Sequence, residues 1–128
     1  MSPTAADRAA LSPDSIELLG LLAYIYLENN RPEKAVVLLS ALETLGVADS
    51  RRRLSLALAQ LRSGKPESAA ATLERAALRG EVDAPFHLVR AQALLALDRR
   101  AEAAAAMRAY VALRAAAAPT DAGQPATR

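Results

Sequence analysis

The chain has no cysteine, and aromatic residues make up only 3 % of its 128 positions. Without cysteine there is no disulfide framework and no thiolate-held zinc, and a reducing compartment is compatible with that. With so few rings, the 52 % hydrophobic content has to form a core of alanine and leucine, which suits closely packed helices. A run of about 18 apolar residues, the least a membrane-spanning helix needs, is missing too. Glu17, Glu28 and Asn29 interrupt the richest segment. The opening MSPTAADRAA lacks the basic-then-apolar layout of a signal peptide, so the expectation is a cytoplasmic protein with no stable membrane insertion.

Chemistry is scarce as well. His87 is the only histidine, and no Ser-His-Asp set, paired-carboxylate cleft or glycine-rich phosphate loop can be assembled. These absences predict no catalytic residue, no metal and no cofactor, with His87 a surface or inter-repeat residue near a helix start. A net charge of +2 does not argue for nucleic acid.

What the chain does contain is a repeat. Small residues recur 34 positions apart at Ala23, Ala57 and Ala91, and again at Ala35, Ala69 and Ala103. Between Ser50 and Gly80 the pattern reads as two amphipathic helices joined at Ser63-Gly64-Lys65-Pro66. Ser12-Pro13-Asp14 is a helix start: the hydroxyl caps free amides, proline is tolerated at the first helical position, and the carboxylate suits the positive end of the dipole. That helix should run to about Glu28, and Pro32 opens the next, which stops before Gly46. Asp49-Ser50 and Asp83-Ala84-Pro85 open later pairs, while the third turn, Asp98 to Ala103, keeps the alanine but loses proline and glycine. The predicted organisation is a flexible arm over residues 1–11, a repeat domain over 12–117 with units at about 15–48, 49–82 and 83–117, and a disordered tail over 118–128.

The spacing, the turn and the small residues resemble the tetratricopeptide repeat, a helix-turn-helix unit of 34 residues that stacks into a solenoid. The predicted fold is therefore all-α, an α-solenoid of three tetratricopeptide (TPR-like) helix pairs. The pattern departs from the family where Tyr26 of the first repeat is followed by Gln60 and Leu94. The resemblance implies a concave, partner-binding groove lined by the first helix of each pair. Carried over, those positions are Gly20, Tyr24, Leu27 and Glu28, then Leu54, Leu58, Leu61 and Arg62, then Leu88, Gln92 and Leu95. A leucine strip of this kind calls for a cover, because each exposed leucine forgoes about 1.5–3 kcal/mol in a domain with about 5–15 kcal/mol of stability. An amphipathic helix, an extended peptide or a dimer partner would supply it. The carboxylate-clamp repeats that hold chaperone C-termini carry Lys, Asn and Arg on this face; Gly20, Tyr24, Leu54, Leu58 and Leu88 stand there instead.

Within the family, the chain resembles the tetratricopeptide chaperones of bacterial type III secretion, and among them the SctY (YscY) chaperones. The carrying segments are LLGLLAYIYLENNRPEKAVVLLSALETL, the pair Arg52-Arg53, Arg90-Ala91-Gln92, and Tyr110 to Leu113. That resemblance implies a non-enzymatic, cytoplasmic chaperone, peripheral at the secretion apparatus, that binds a small SctX-like export partner and helps it dock at an SctV-like export gate. The alternatives are a chaperone of translocator or needle subunits, or a generic TPR scaffold. Arg51, Arg52 and Arg53 place positive charge at a helix start, against the dipole, and with Arg62 are candidate electrostatic contacts for an acidic partner. The last helix, with Met107, Tyr110 and Leu113, has no capping helix after it, so the partner covers it or the chain self-associates when alone.

Overall fold

A computed structural model describes residues 11–118, so the expected N-terminal arm and C-terminal tail lie almost wholly outside the described residues. The described residues form six helices: α1 (Pro13–Glu28), α2 (Pro32–Thr44), α3 (Ser50–Arg62), α4 (Pro66–Leu78), α5 (Ala84–Ala96) and α6 (Arg100–Ala117). The first helix of each pair starts at a side-chain cap. Ser12 Oγ accepts the Ser15 amide at 3.0 Å, Asp49 Oδ1 that of Arg52 at 2.8 Å, and Asp83 Oδ1 that of Phe86 at 3.1 Å. Each cap satisfies one of the free amides of a helix start.

The second helix of each pair starts without a side-chain cap, at Arg31, Lys65 and Arg99. The preceding turn does the positioning. Asn30, Gly64 and Asp98 take φ of +59°, +78° and +59°, and the next amide reaches back to a carbonyl five residues earlier: Arg31 to Tyr26 at 2.7 Å, Lys65 to Gln60 at 2.9 Å, Arg99 to Leu94 at 2.9 Å. This is the left-handed termination that glycine favours and that Asn and Asp tolerate best among the rest. The third repeat thus keeps the turn although it has lost both glycine and proline.

Helices that follow one another pack together, and α1 also touches α3 while α3 touches α5; among the described residues α2 does not reach α4, nor α4 α6. First helices that touch and second helices that do not define a curved stack with α1, α3 and α5 on its inner side. Ala23, Ala57, Ala91, Ala35, Ala69 and Ala103 are all buried in this packing. Leu39, Leu42 and Leu56 join the first two repeats, and Leu73, Phe86 and Val89 the second and third. The departure at Gln60 has its own solution. Its buried Oε1 accepts the Thr72 hydroxyl at 2.6 Å, and Arg75 donates to that hydroxyl at 3.1 Å, so a polar pair fills the space an aromatic ring would take.

Candidate functional site: the inner face

Three of the hollows among the described residues are lined by expected groove or arginine positions. One of about 430 Å³ separates α1 from α3 and is lined by Gly20, Leu21, Tyr24, Arg51, Arg52 and Ser55. A second, of about 300 Å³, lies between α3 and α5, against Arg51, Leu54, Pro85 and Phe86. The third, of about 450 Å³, is formed by Leu88, Gln92 and Leu95 of α5 with Arg100, Ala104 and Met107 of α6.

The expected leucine strip is divided among different environments. Leu27 points inward and belongs to the core of the first repeat, so it leaves the groove set. Leu54, Leu58, Leu61 and Leu88 are half-buried, and Leu54 and Leu61 pack against the second core cluster. Tyr24, Gln92 and Leu95 are exposed. The inner face is therefore mixed: apolar walls that share their side chains with the core, with Glu17, Arg51, Ser55 and Gln92 set among them.

At Gly20 the α1 backbone is closely approached by a side chain of α3. A Cβ there would stand 2.8 Å from Nε of Arg52, whose guanidinium lies across α1 and bonds Glu17 at 3.0 Å and Asp49 at 3.1 Å. Glycine lets the Arg52 side chain lie on the α1 backbone and join α3 to α1.

The arginine run is split in function. Arg53 is only 3 % exposed and does not face a partner, which corrects its expected place in the surface patch. Its Nε bonds Glu43 at 3.0 Å, Nη1 bonds Glu81 at 2.6 Å, and Nη2 donates to the Ala48 carbonyl at 3.1 Å. One side chain thus ties α3 to the end of α2 and to the segment that enters α5. The Glu81 hydrogen bond is the largest influence raising its pKa, opposed by burial and helped by Glu43, so the guanidinium is charged at every working pH. Arg51 and Arg62 are exposed and have no carboxylate partner among the described residues. Of the four expected electrostatic contacts, these two alone are exposed with no carboxylate partner among the described residues.

His87 is half-buried and meets Phe86 edge to face at 5.2 Å. Among the described residues no group of His, Asp and Glu could hold a metal, and no helix is long and apolar enough to cross a membrane.

The sequence reading missed the exposed apolar side chains of α1 beside the groove positions, Leu18, Leu21 and Ile25, of which Leu21 also lines the hollow against α3. The signal was there: α1 is apolar on more sides than a stacked helix needs, and nothing precedes it among the described residues to cover the surplus.

No protein-family model matches the chain, and no curated protein matches it. A solved structure does. The chain is similar to PcrH, in the crystal structure of PcrH in complex with the chaperone binding region of PopB, with a TM-score of 0.76 and 26 % identity over 91 % of this chain and 88 % of that one. PcrH is a TPR-like helical chaperone of type III secretion. The fold of this chain is the same all-α stack of TPR-like pairs.

Proposed function

We propose that this protein is a non-enzymatic, cytoplasmic chaperone of the type III secretion class that holds a segment of a secreted translocator subunit along α1, α3 and α5. The observation that carries the reading is the likeness to PcrH across nearly the whole chain, in a structure whose second component is the chaperone binding region of PopB. The inner face suits such a guest. Its hollows, between α1 and α3 and between α3 and α5, take apolar side chains, and Arg51, which lines both, offers a charge for an acidic residue between them. An extended segment or a helix with two apolar anchors meets both demands.

A second reading rests on the SctY-like segments of the sequence, with an SctX-like guest and an SctV-like gate as partners. The likeness to PcrH favours the translocator reading over it. The two separate in one experiment. The full chain is co-expressed in bacteria with a translocator's chaperone-binding segment or with an SctX-like protein, then purified and sized. A stable one-to-one complex with the translocator segment alone is the expected result, and a complex with the SctX-like protein alone overturns it.

A further inference from the structure

Within the segment Arg90-Ala91-Gln92, Ala91 is buried and Gln92 lines the hollow between α5 and α6, but Arg90 takes no part in the inner face. It stands two residues from both Leu88 and Gln92, so the helical twist turns it to the opposite side of α5. There α4 and α6 do not touch, and the back of α5 shows in the seam between them. Arg90 lines a hollow on each side of this seam. One, of about 70 Å³, lies against Leu73 and Glu74 of α4; the other, of about 260 Å³, lies against Glu102, Ala105 and Ala109 of α6.

The repeat supplies its own control for this position. One period earlier α3 carries Leu56, 3 % exposed and packed with Leu39 and Ala59 in the first core cluster. The counterparts of Leu39 and Ala59 are Leu73 and Ala93, both buried in the second cluster. The surroundings are thus kept, while the leucine is exchanged for a half-buried arginine. Among the described residues no carboxylate pairs with it. Glu102 is held by Arg99 through bonds of 3.2 and 2.7 Å, and Glu74 stands exposed at the rim. The place from which Glu43 holds Arg53 is here Ala77. A guanidinium at a core leucine's position, without a counter-charge, forgoes apolar burial and gives up hydration together. A local rule broken with no compensation inside the fold marks a residue that acts outside it.

The two hollows set the kind of partner. The smaller has room for a single carboxylate group, and the alanines of the larger let a backbone come close. Glu74 and Glu102 on the two rims oppose a chain of continuous negative charge such as a nucleic acid. We infer that Arg90 anchors a second protein partner on the side of the stack away from the guest, through an isolated acidic side chain flanked by small residues. The site is open whether or not the inner face is filled, and it does not depend on which guest fills it.

Stability and binding test this together. Arg90→Leu puts back the residue the stack uses at Leu56 and should raise the midpoint of thermal unfolding of the full chain, the mark of a side chain kept for binding at the expense of the fold. Glu74→Gln should leave the midpoint where it is. A lower midpoint in both variants makes Glu74 the internal partner of Arg90 and overturns the inference, as does a lower midpoint in Arg90→Leu alone. For binding, the isotope-labelled chain is titrated with a blocked, alanine-rich helical peptide carrying one glutamate, and with the same peptide carrying glutamine. The glutamate peptide alone should shift the amide resonances of Ala70, Ala105 and Ala109, and Arg90→Leu should weaken it about tenfold, the loss of one charge-assisted bond. Arg90→Gln, which removes the charge but keeps a polar stem, gives the same readout if leucine alters the packing. Equal shifts with the glutamine peptide, shifts confined to the inner face, or unchanged affinity in both Arg90 variants overturn the inference. So does a response at the seam to a single-stranded oligonucleotide and not to the peptide.

Discussion

Arg53 and Glu81 face each other at 2.6 Å across the junction of the second and third repeats, and Glu43 holds the same guanidinium from the first. One residue of α3 therefore bonds to the first helix pair and to the linker that leads into the third. Such a contact acts on the coupling between repeats more than on any one helix, and coupling is what makes a stack of this kind unfold as a unit.

Removing the cation should be costly. Arg53→Ala leaves two carboxylates facing each other with part of their charge desolvated, and the loss should be about 2–3 kcal/mol, below the ~3–5 kcal/mol of a fully buried pair because Glu43 and Glu81 keep some contact with water. Glu81→Gln leaves Glu43 in place and should cost about 1 kcal/mol. Urea unfolding followed by circular dichroism checks both, and Arg53→Ala should also broaden the transition as the repeats uncouple.

The exposed arginines should behave in the opposite way. Arg51→Glu and Arg62→Glu change side chains without an internal carboxylate partner, so stability should stay within about 0.5 kcal/mol while capture of an acidic guest segment weakens. Arg53→Glu should fail to fold. Thermal melts alongside pull-downs with the guest segment separate the two kinds of arginine; equal loss of binding from all three substitutions with folding intact would refute the division.

Leu58 is half-buried on α3, at a position the repeat pattern assigns to the groove, and under the proposed function Leu58→Asp should abolish guest binding while the chain remains helical. Far-ultraviolet circular dichroism and a titration with labelled guest segment read the two effects. A variant that unfolds would instead make Leu58 a core residue.

Gly20 and Arg52 should be energetically coupled. Gly20→Ala gains up to about 1 kcal/mol of helix propensity but pushes the guanidinium off α1, so the single change should be near neutral or unfavourable. In an Arg52→Ala background the same change should become stabilising. A double-mutant cycle should give a coupling of about 0.5–1 kcal/mol, and strict additivity would show that the close approach carries no energy.

Much of the architecture could be read from the chain because it is written in local terms. The 34-residue spacing of Ala23, Ala57 and Ala91 gives the pairs, and the capping residues Ser12, Asp49 and Asp83 are visible as letters. The inner face was less legible. Carrying family positions onto Leu27 and Leu54 says that a residue is near the groove, but not how far its side chain turns toward the neighbouring helix. Arg53 shows the limit most clearly. Three arginines in a row look equivalent on paper, yet two helical steps, about 200°, separate exposed Arg51 from buried Arg53, and the carboxylates that receive it lie 10 and 28 residues away. Asp98 shows the reverse: the letters for a turn are missing, but the packing of the flanking helices imposes it on a residue that can bear the strain.

The unequal contacts of the two helix rows have a mechanical consequence. Because α1, α3 and α5 touch while α2, α4 and α6 stay apart, the inner row acts as the pivot and the outer row is free to spread or close like the coils of a spring. A guest wedged between α1 and α3 changes the pitch of the whole superhelix, so its grip depends on the bending stiffness at the repeat junctions as well as on the surface it touches. Arg53, buried behind the hollow between α3 and α5 that its partner Glu81 lines, helps to set that stiffness.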